Sequence, residues 1–235
     1  MIDHYDWAGG REAMLRFGPD TGPVVIAAMP LFEEANRTRA FIVSILRALA
    51  GHGIATALPD LPGTGESLTE TEYASVKNWN KAFLSAVELL KPESRPIHGI
   101  AVRGGALVDA TAPLASRWQF APVTGEGLVR DMLRTRMAAA IESGETIDAD
   151  MIASSGPPIE LAGNRLSRAL LAELEHSVPS DGSPLRTVRL DTDTLPADHN
   201  VAGAPLWRRS EPSNDPDLAR LLADDIAAWI ATCAG

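Results

Sequence analysis

The sequence predicts an α/β fold with a mostly parallel central sheet and helices on both of its faces. Short apolar runs alternate with helical segments through residues 22–123, which is the rhythm of parallel strands joined by helical crossovers. The first run, GPVVIAAMP at 22–30, is apolar throughout, as expected of a strand that is covered on both faces. Because the chain has 235 residues, of which 45% are hydrophobic and 22% charged, we expect residues 1–235 to form a single domain.

The elements of the first half follow from apolar runs and helix boundaries. Asn36 is predicted to cap the first helix, which Gly51 ends. The apolar positions of 72–90 recur at helical spacing and predict a second helix, and Gly104–Pro113 is expected to open a third. Four segments bounded by turn residues are predicted to be consecutive strands: 22–30, 54–60, 95–102 and 116–123.

Residues 124–180 are less regular and are predicted to form an insertion, a lid over the carboxyl edge of the sheet. Helical patterns occupy Gly125–Ala140 and Leu166–His176, and a short extended piece, Ile159–Ala162, lies between them. Ligands of parallel sheets bind beyond the carboxyl ends of the strands, so a lid at this position would cover a binding site.

The chain is predicted to end with two strands and a helix. Residues 185–191 alternate as a fifth strand does, and 199–207 is a candidate sixth. Asp215 at the N-cap and Pro216 at the first helical position mark the start of the final helix.

Charge and composition exclude several classes of function. A formal net charge of −10 argues against binding to nucleic acid or anionic membranes, because both need basic patches. No apolar run approaches the roughly 18 residues of a transmembrane segment, and the first residues have no signal-peptide profile, so we expect a cytoplasmic protein. Cys233 is the single cysteine, which excludes an internal disulfide, and we expect neither a metal site nor a cofactor.

The stretch HGIAVRGGALVDA at 98–110 has the pattern of a strand, a tight turn and the start of a helix. Enzymes that hydrolyse esters place a serine at the tip of such a turn, in the pattern G-x-S-x-G. Ala101 and Gly105 are the small residues that flank a tip at Arg103. A guanidinium stays protonated and has no lone pair with which to attack a carbonyl. Two alternatives stay open for Arg103: it pairs with a neighbouring acid and holds the edge of the sheet, or it binds an anionic ligand.

Two glutamates follow the first apolar strand, where ester hydrolases build the oxyanion hole. Glu33 and Glu34 argue against acyl transfer, because an oxyanion needs N–H donors without a competing negative charge. We predict that they form a binding or structural network with Arg103, which Arg37 and Glu126 complete. The alternative is a solvated helix start, where acidic residues interact favourably with the helix dipole.

The candidates for a catalytic triad are weak. Asp191 or Asp193 follows the predicted fifth strand, and His199 comes next, in the chain order acid then histidine. The spacing leaves little room for a helix between the last two strands. Candidates for a displaced nucleophile include Ser67 and Thr64, which carry hydroxyls on the glycine-rich loop 60–67.

Several motifs carry a resemblance to a known family. They cover most of the chain in order: PLFEEANRTR (30–39), LPDLPGTGES (58–67), GIAVRGGAL (99–107), WQFAPVTGEGLVRDMLRTRMA (118–138), IELAGNRLS (159–167) and PLWRRSEPSNDPDLARLL (205–222). With these motifs the chain resembles the type 2 exosortase A system-associated hydrolases, α/β-hydrolase-fold proteins found with bacterial exopolysaccharide and exosortase loci. The resemblance implies an α/β-hydrolase-like fold and a family tendency to carry arginine in place of the nucleophile serine. A hydrolase name that rests on fold analogy is not evidence of activity.

Three functional hypotheses follow. The first is a catalytically degenerate protein that binds a small-molecule or saccharide-derived ligand, or a partner, in exopolysaccharide- or exosortase-associated processes. The second is an active ester or acyl hydrolase with a displaced Ser/Thr nucleophile, which a fluorophosphonate probe would label. The third is a structural interaction module, such as a homo-oligomer, which no small molecule would stabilise.

Overall fold

The computed structural model describes residues 1–91, 95–144, 156–182 and 184–233. Its helices and strands follow one another along the chain in this order: β1 (Ile2–Trp7), β2 (Gly10–Phe17), β3 (Val24–Ala28), α1 (Glu33–Gly51), β4 (Ala55–Pro59), α2 (Val76–Leu90), β5 (Ile97–Val102), β6 (Ser116–Phe120), α3 (Gly125–Ser143), β7 (Ile159–Leu161), β8 (Asn164–Leu166), α4 (Arg168–Glu175), β9 (Leu185–Leu190), β10 (His199–Val201) and α5 (Pro216–Cys233).

The central sheet is mostly parallel, as the sequence predicts. Its eight strands lie in the order β1-β2-β4-β3-β5-β6-β9-β10. The strands from β4 to β10 in this order pair in parallel, and an antiparallel hairpin, β1–β2, extends the sheet at the β4 side. This hairpin was not predicted from the sequence, because its strands bury few of their side chains, chiefly Tyr5, Glu12 and Met14, and show no continuous apolar run.

Helices cover both faces of the sheet, and each face has its own core. On one face α1 and α5 contribute an apolar cluster that includes Phe41 and Ile226. On the other face α2 and α4 contribute a second cluster, with Trp79, Phe83 and Leu174 at its centre. The continuous burial of β3 and β5 follows from this arrangement, since their side chains enter both cores.

Two predicted helix starts are wrong, and one predicted helix is a 3₁₀ turn instead. Helix α1 begins at Glu33, not after a cap at Asn36, and the preceding Phe32 has a positive φ of 58°. Helix α2 begins at Val76, four residues later than predicted, because the Ser75 side chain accepts a hydrogen bond from a backbone amide of the first turn. The predicted helix Gly104–Pro113 is only a short 3₁₀ turn, since the chain turns back soon afterwards to enter β6.

The segment between β6 and β9 contains α3, the β7–β8 hairpin and α4. Leu170 and Leu174 of α4 are fully buried, so this part of the predicted lid belongs to the core. The backbone amide of Gly125 donates to the carbonyl of Ser177 at 2.9 Å, which ties the two ends of the segment together. Part of the predicted lid, 145–155, lies outside the described residues. A lid that covers a binding site therefore stays a prediction.

The last two strands run parallel without an intervening helix. Val188 of β9 pairs with His199 of β10, and residues 191–198 connect the two strands. Helix α5 follows with the predicted cap, because the Asp215 carboxylate accepts from the amide of Leu218 at 3.0 Å. Within the described ranges, no helix is both long and apolar enough to cross a membrane.

Candidate functional site

The chain makes a strained turn at Arg103, directly after β5. Arg103 has a φ of 54°, a conformation that few residues other than glycine adopt. Gly105 packs against the end of β3, where an added Cβ would lie 2.4 Å from the carbonyl oxygen of Ala28. This close approach gives the physical reason for a small residue two positions after the tip.

The Arg103 guanidinium is engaged along its edges and on its face. Its Nη2 donates to Glu34 at 2.9 Å, and its Nε lies 3.2 and 3.3 Å from the two oxygens of the same carboxylate. Nη1 donates to the carbonyl of Ala121 at 3.4 Å. The ring of Trp207 lies 5.0 Å from Cζ, within the range of a cation–π interaction. Arg103 is only 9% exposed, so this network shields most of its charge from water.

Helix α1 supplies the acidic side of the network. Burial raises the pKa of the Glu34 carboxyl, and the positive charge of Arg103 opposes this rise. Glu33 lines the same side of the site but forms its ion pair with Arg37, one helical turn later. Arg37 also donates to the backbone carbonyl of Trp207 at 3.0 Å. Four of the predicted network residues are thus brought together.

Glu126 lies apart from them. Its side chain is 74% exposed and pairs with Arg130 at 3.8 Å. The acid that α3 places near Arg103 is Asp131, whose carboxylate is 3.9 Å from Nη2. No sequence pattern indicates Asp131 over Glu126, because the orientation of α3 decides which side chain of the helix reaches the turn.

Two cavities meet at Arg103 and Trp207. The first has a volume of about 380 Å³ and lies between α1 and α3. The second, about 490 Å³, lies between the start of α3 and the loop after β9. Together they are lined by six arginines and four acidic residues, a positive surface on a chain of net charge −10: Arg37, Arg103, Arg130, Arg134, Arg189 and Arg208, with Glu33, Glu34, Asp131 and Asp193.

The predicted acid and base do not meet at the turn. Asp193 lines the second cavity, but its carboxylate accepts from Arg189 at 2.8 Å. Asp191 is exposed, and its backbone amide continues the pairing of β9 with β10. His199 is also exposed and shares a sheet face with Val201, which packs in the core on the α1 and α5 side. The imidazole therefore points to a face of the sheet and not over its carboxyl edge.

The hydroxyls of the glycine-rich loop hold the loop itself together. Ser67 accepts from two backbone amides of its own loop at 3.0 and 3.2 Å. Thr64 donates to the carbonyl of Leu61 at 2.9 Å and accepts from the amide of the same residue at 2.8 Å. This loop follows β4, which is separated from β10 by four strands, a distance of about 24 Å across the sheet. Neither hydroxyl is near His199.

Trp207 occupies the position over the turn where a base would have to lie. In an α/β-hydrolase triad the histidine comes last in chain order, after the nucleophile and the acid. The last segment of this chain to reach the turn is the 3₁₀ turn Leu206–Arg208, and it presents an indole ring to Arg103. An indole N–H is a donor only and cannot accept a proton.

No family model matches the chain, and no curated protein matches it either. Many solved structures share its fold. The mouse α/β hydrolase domain-containing protein 10 has a TM-score of 0.62 at 15% identity, with 99% of each chain covered. Est1E from Butyrivibrio proteoclasticus, solved with ferulic acid, has a TM-score of 0.60 at 14% identity and covers 96% of this chain and 98% of its own. The α/β hydrolase GrgF from Penicillium sp. sh18 has a TM-score of 0.55 at 18% identity and covers 83% and 81%.

These similarities establish the fold. The chain has the α/β-hydrolase fold, with a mostly parallel central sheet, helices on both of its faces and a tight turn directly after β5. At such low identity they establish no substrate and no activity, because one fold carries many functions. Among the described residues, no group of three or more histidines, cysteines or acids is arranged to hold a metal ion.

Proposed function

We propose that this protein binds a small anionic ligand in the cleft that the two cavities around Arg103 form together, and that it does not hydrolyse esters. The observation that carries the proposal is the structure of the elbow, the tight turn after β5 that has Arg103 at its tip. Its tip is a guanidinium that Glu34 holds through three hydrogen-bond contacts and that stacks against Trp207. Nothing in this arrangement can attack a carbonyl.

Three features of the cleft argue against acyl transfer. Covalent catalysis needs a nucleophile within reach of a base, and the elbow has neither. The His199 imidazole faces the side of the sheet that α1 and α5 cover. The Glu34 carboxylate lies 2.9 Å from the tip residue Arg103, so its charge would destabilise an oxyanion that developed beside the tip.

The same features suit binding. The two cavities have volumes within the usual range for small-molecule sites, about 300–1,000 Å³. Arginines outnumber acids on their walls, which favours an anion although the whole chain is acidic. Trp207 contributes an apolar wall to both cavities, against which the uncharged part of a ligand can pack.

The biological setting of this proposal rests on the sequence resemblance. The motifs shared with the type 2 exosortase A system-associated hydrolases support a role in exopolysaccharide-associated processes in the cytoplasm. They also support a saccharide-derived compound as the ligand, since a carboxylate or phosphate on a sugar would suit the arginines. A homo-oligomer is compatible with this role.

Two measurements on one preparation test the proposed function. Turnover of p-nitrophenyl esters of several chain lengths is expected to equal the rate in buffer. A thermal-shift screen with carboxylated and phosphorylated sugars is expected to find stabilising anions, while the matching neutral sugars have no effect. The alanine variant of Arg134, an exposed wall residue of the first cavity, is expected to keep the fold and show smaller shifts. Ester turnover above the buffer rate, or equal shifts with neutral and anionic sugars, contradicts the proposal.

A further inference from the structure

We propose that Arg208 is the residue that binds the charged group of the ligand, and that this ligand is a small phosphomonoester with an apolar body. The inference rests on the proposed function and adds the recognition residue and the chemical class. Its basis is that the arginines of the cleft differ in whether a carboxylate of this chain pairs with them, together with the composition of the second cavity.

Arg208 differs from the other arginines of the cleft. The other five each have a carboxylate of this chain within 4 Å. These pairs are Arg37 with Glu33, Arg103 with Glu34, Arg130 with Glu126, Arg134 with Asp131, and Arg189 with Asp193. Within the part of the chain that the structure describes, the Arg208 side chain has neither an ion pair nor a hydrogen bond. An anion that enters the cleft therefore meets no competing carboxylate at Arg208.

The backbone presents Arg208 in a fixed position. The amide of Arg208 donates to the carbonyl of Pro205 at 3.0 Å, which closes the 3₁₀ turn. The preceding carbonyl, that of Trp207, accepts from Arg37 of α1 at 3.0 Å. Leu206 and Trp207 are both buried, whereas Arg208 is exposed and lines both cavities. The backbone of Arg208 is held in place and its guanidinium is unpaired. This combination suits binding, because the backbone loses little conformational entropy when a ligand binds.

The walls of the second cavity indicate the chemistry of the ligand's uncharged part and of its charged group. They combine apolar side chains, among them Pro122, Val123, Leu190, Leu195 and Trp207, with four arginines, three threonines and Asp193. Arg130 lines the same cavity, and its carboxylate partner is weakly placed, at 3.8 Å with both side chains mainly in solvent. Two available arginines beside an apolar wall match a phosphate, which carries up to two negative charges and pairs with the planar guanidinium fork. A carboxylate offers only one charge to the same pair.

Calorimetric titration with phenyl phosphate tests this inference, with benzoate and inorganic phosphate as comparison probes. The wild-type protein is expected to bind phenyl phosphate more tightly than either comparison probe. Arg208→Ala is expected to weaken phenyl phosphate binding about 10- to 100-fold, the loss of one charge-assisted contact. Arg208→Lys is expected to recover part of the loss, since it keeps the charge without the fork. Arg209→Ala is the matched control, because Arg209 donates to Ser213 at 2.7 Å and lines neither cavity.

Each other result overturns the inference. Equal affinity in the wild-type protein and in Arg208→Ala, or an equal loss in Arg209→Ala, removes Arg208 as the recognition residue. Benzoate binding as tight as that of phenyl phosphate removes the phosphate class, and wild-type protein that binds neither removes both parts. The proposed function is judged separately, because ester turnover and the response to anionic sugars do not depend on these probes. The melting temperature of each variant shows that it folds, as expected for changes at exposed positions.

Discussion

Removing the Glu34 carboxylate leaves the Arg103 guanidinium charged and buried, with only the half-exposed Asp131 carboxylate, 3.9 Å away, as an acidic neighbour among the described residues. The two side chains are only 16% and 10% exposed, so water cannot easily replace the lost contacts. Removing one partner from a buried pair typically costs about 3–5 kcal/mol. We therefore expect Glu34→Ala to lower the free energy of unfolding by about this amount. In a chain of this length the melting temperature would fall by roughly 6–20 °C.

Two further variants test whether the loss of stability comes from the buried Glu34–Arg103 pair and not from neighbouring charges. Glu33→Ala removes the neighbouring carboxylate, which is 36% exposed and pairs with Arg37, and is expected to cost about 1 kcal/mol or less. The double variant Glu34→Leu with Arg103→Met replaces both charges with apolar groups and is expected to restore stability to within about 1 kcal/mol of the wild type.

Urea-induced unfolding followed by far-UV circular dichroism measures all three changes. If the free energy of unfolding falls with urea concentration at the same slope in every variant, the variants unfold as the wild-type protein does. Their midpoints can then be compared. If Glu34→Ala costs no more than Glu33→Ala, the buried pair does not hold the elbow and the reasoning is refuted.

Three other variants are informative. Burial raises the pKa of Asp109 to about 6 from 3.8, against the opposing charge of Arg117, so the folded state binds the proton more tightly than the unfolded state. As the pH rises from about 4 to 6, the wild type is therefore expected to lose about 3 kcal/mol of stability relative to Asp109→Asn, and parallel pH profiles in urea unfolding would refute this. Arg103→Ser is expected to leave p-nitrophenyl ester turnover at the buffer rate, because no imidazole faces the turn; turnover above that rate in this single variant would show that a base is present. Gly105→Ala is expected to cost at least 1–3 kcal/mol, roughly the cost of overpacking, because its Cβ would lie 2.4 Å from the Ala28 carbonyl; an unchanged melting temperature would contradict the close approach.

The parallel core of the fold could be predicted because its strands are covered on both faces. Such strands, as in β3 and β5, are apolar without interruption and stand out in the sequence. The hairpin β1–β2 could not be recognised in the same way, since most of its side chains stay partly in solvent. The short 3₁₀ turn after Arg103 was predicted as a helix because sequence pattern does not show how soon the chain must return to the sheet.

The pairing of Arg103 with a glutamate of α1 could be predicted from topology. Both residues follow adjacent parallel strands, β3 and β5, whose carboxyl ends lie at one edge of the sheet. Which glutamate makes the contact depends on where α1 begins. Because the helix starts at Glu33, Glu34 faces the turn, while Glu33 pairs with Arg37 one turn further on.

The remaining parts of the site depend on long-range packing that the sequence does not show. Trp207 is more than a hundred positions from Arg103, and it reaches the turn as part of the 3₁₀ turn that follows β10. Asp131, in place of Glu126, faces the cleft because of how α3 is oriented on the sheet. Periodicity identifies helices but does not give their rotation relative to a distant turn.

The intact mass of the protein after incubation with a fluorophosphonate tests the central claim most directly. With a permanently charged guanidinium at the elbow, the mass is expected to stay that of the unmodified chain. The Ser116 hydroxyl lies 2.8 Å from the His98 ring, but both residues are buried in the sheet and closed to a reagent in solvent. A stoichiometric adduct that disappears when one serine or threonine is replaced would show an activated hydroxyl, and the assignment of this cleft to binding without ester hydrolysis would then be wrong.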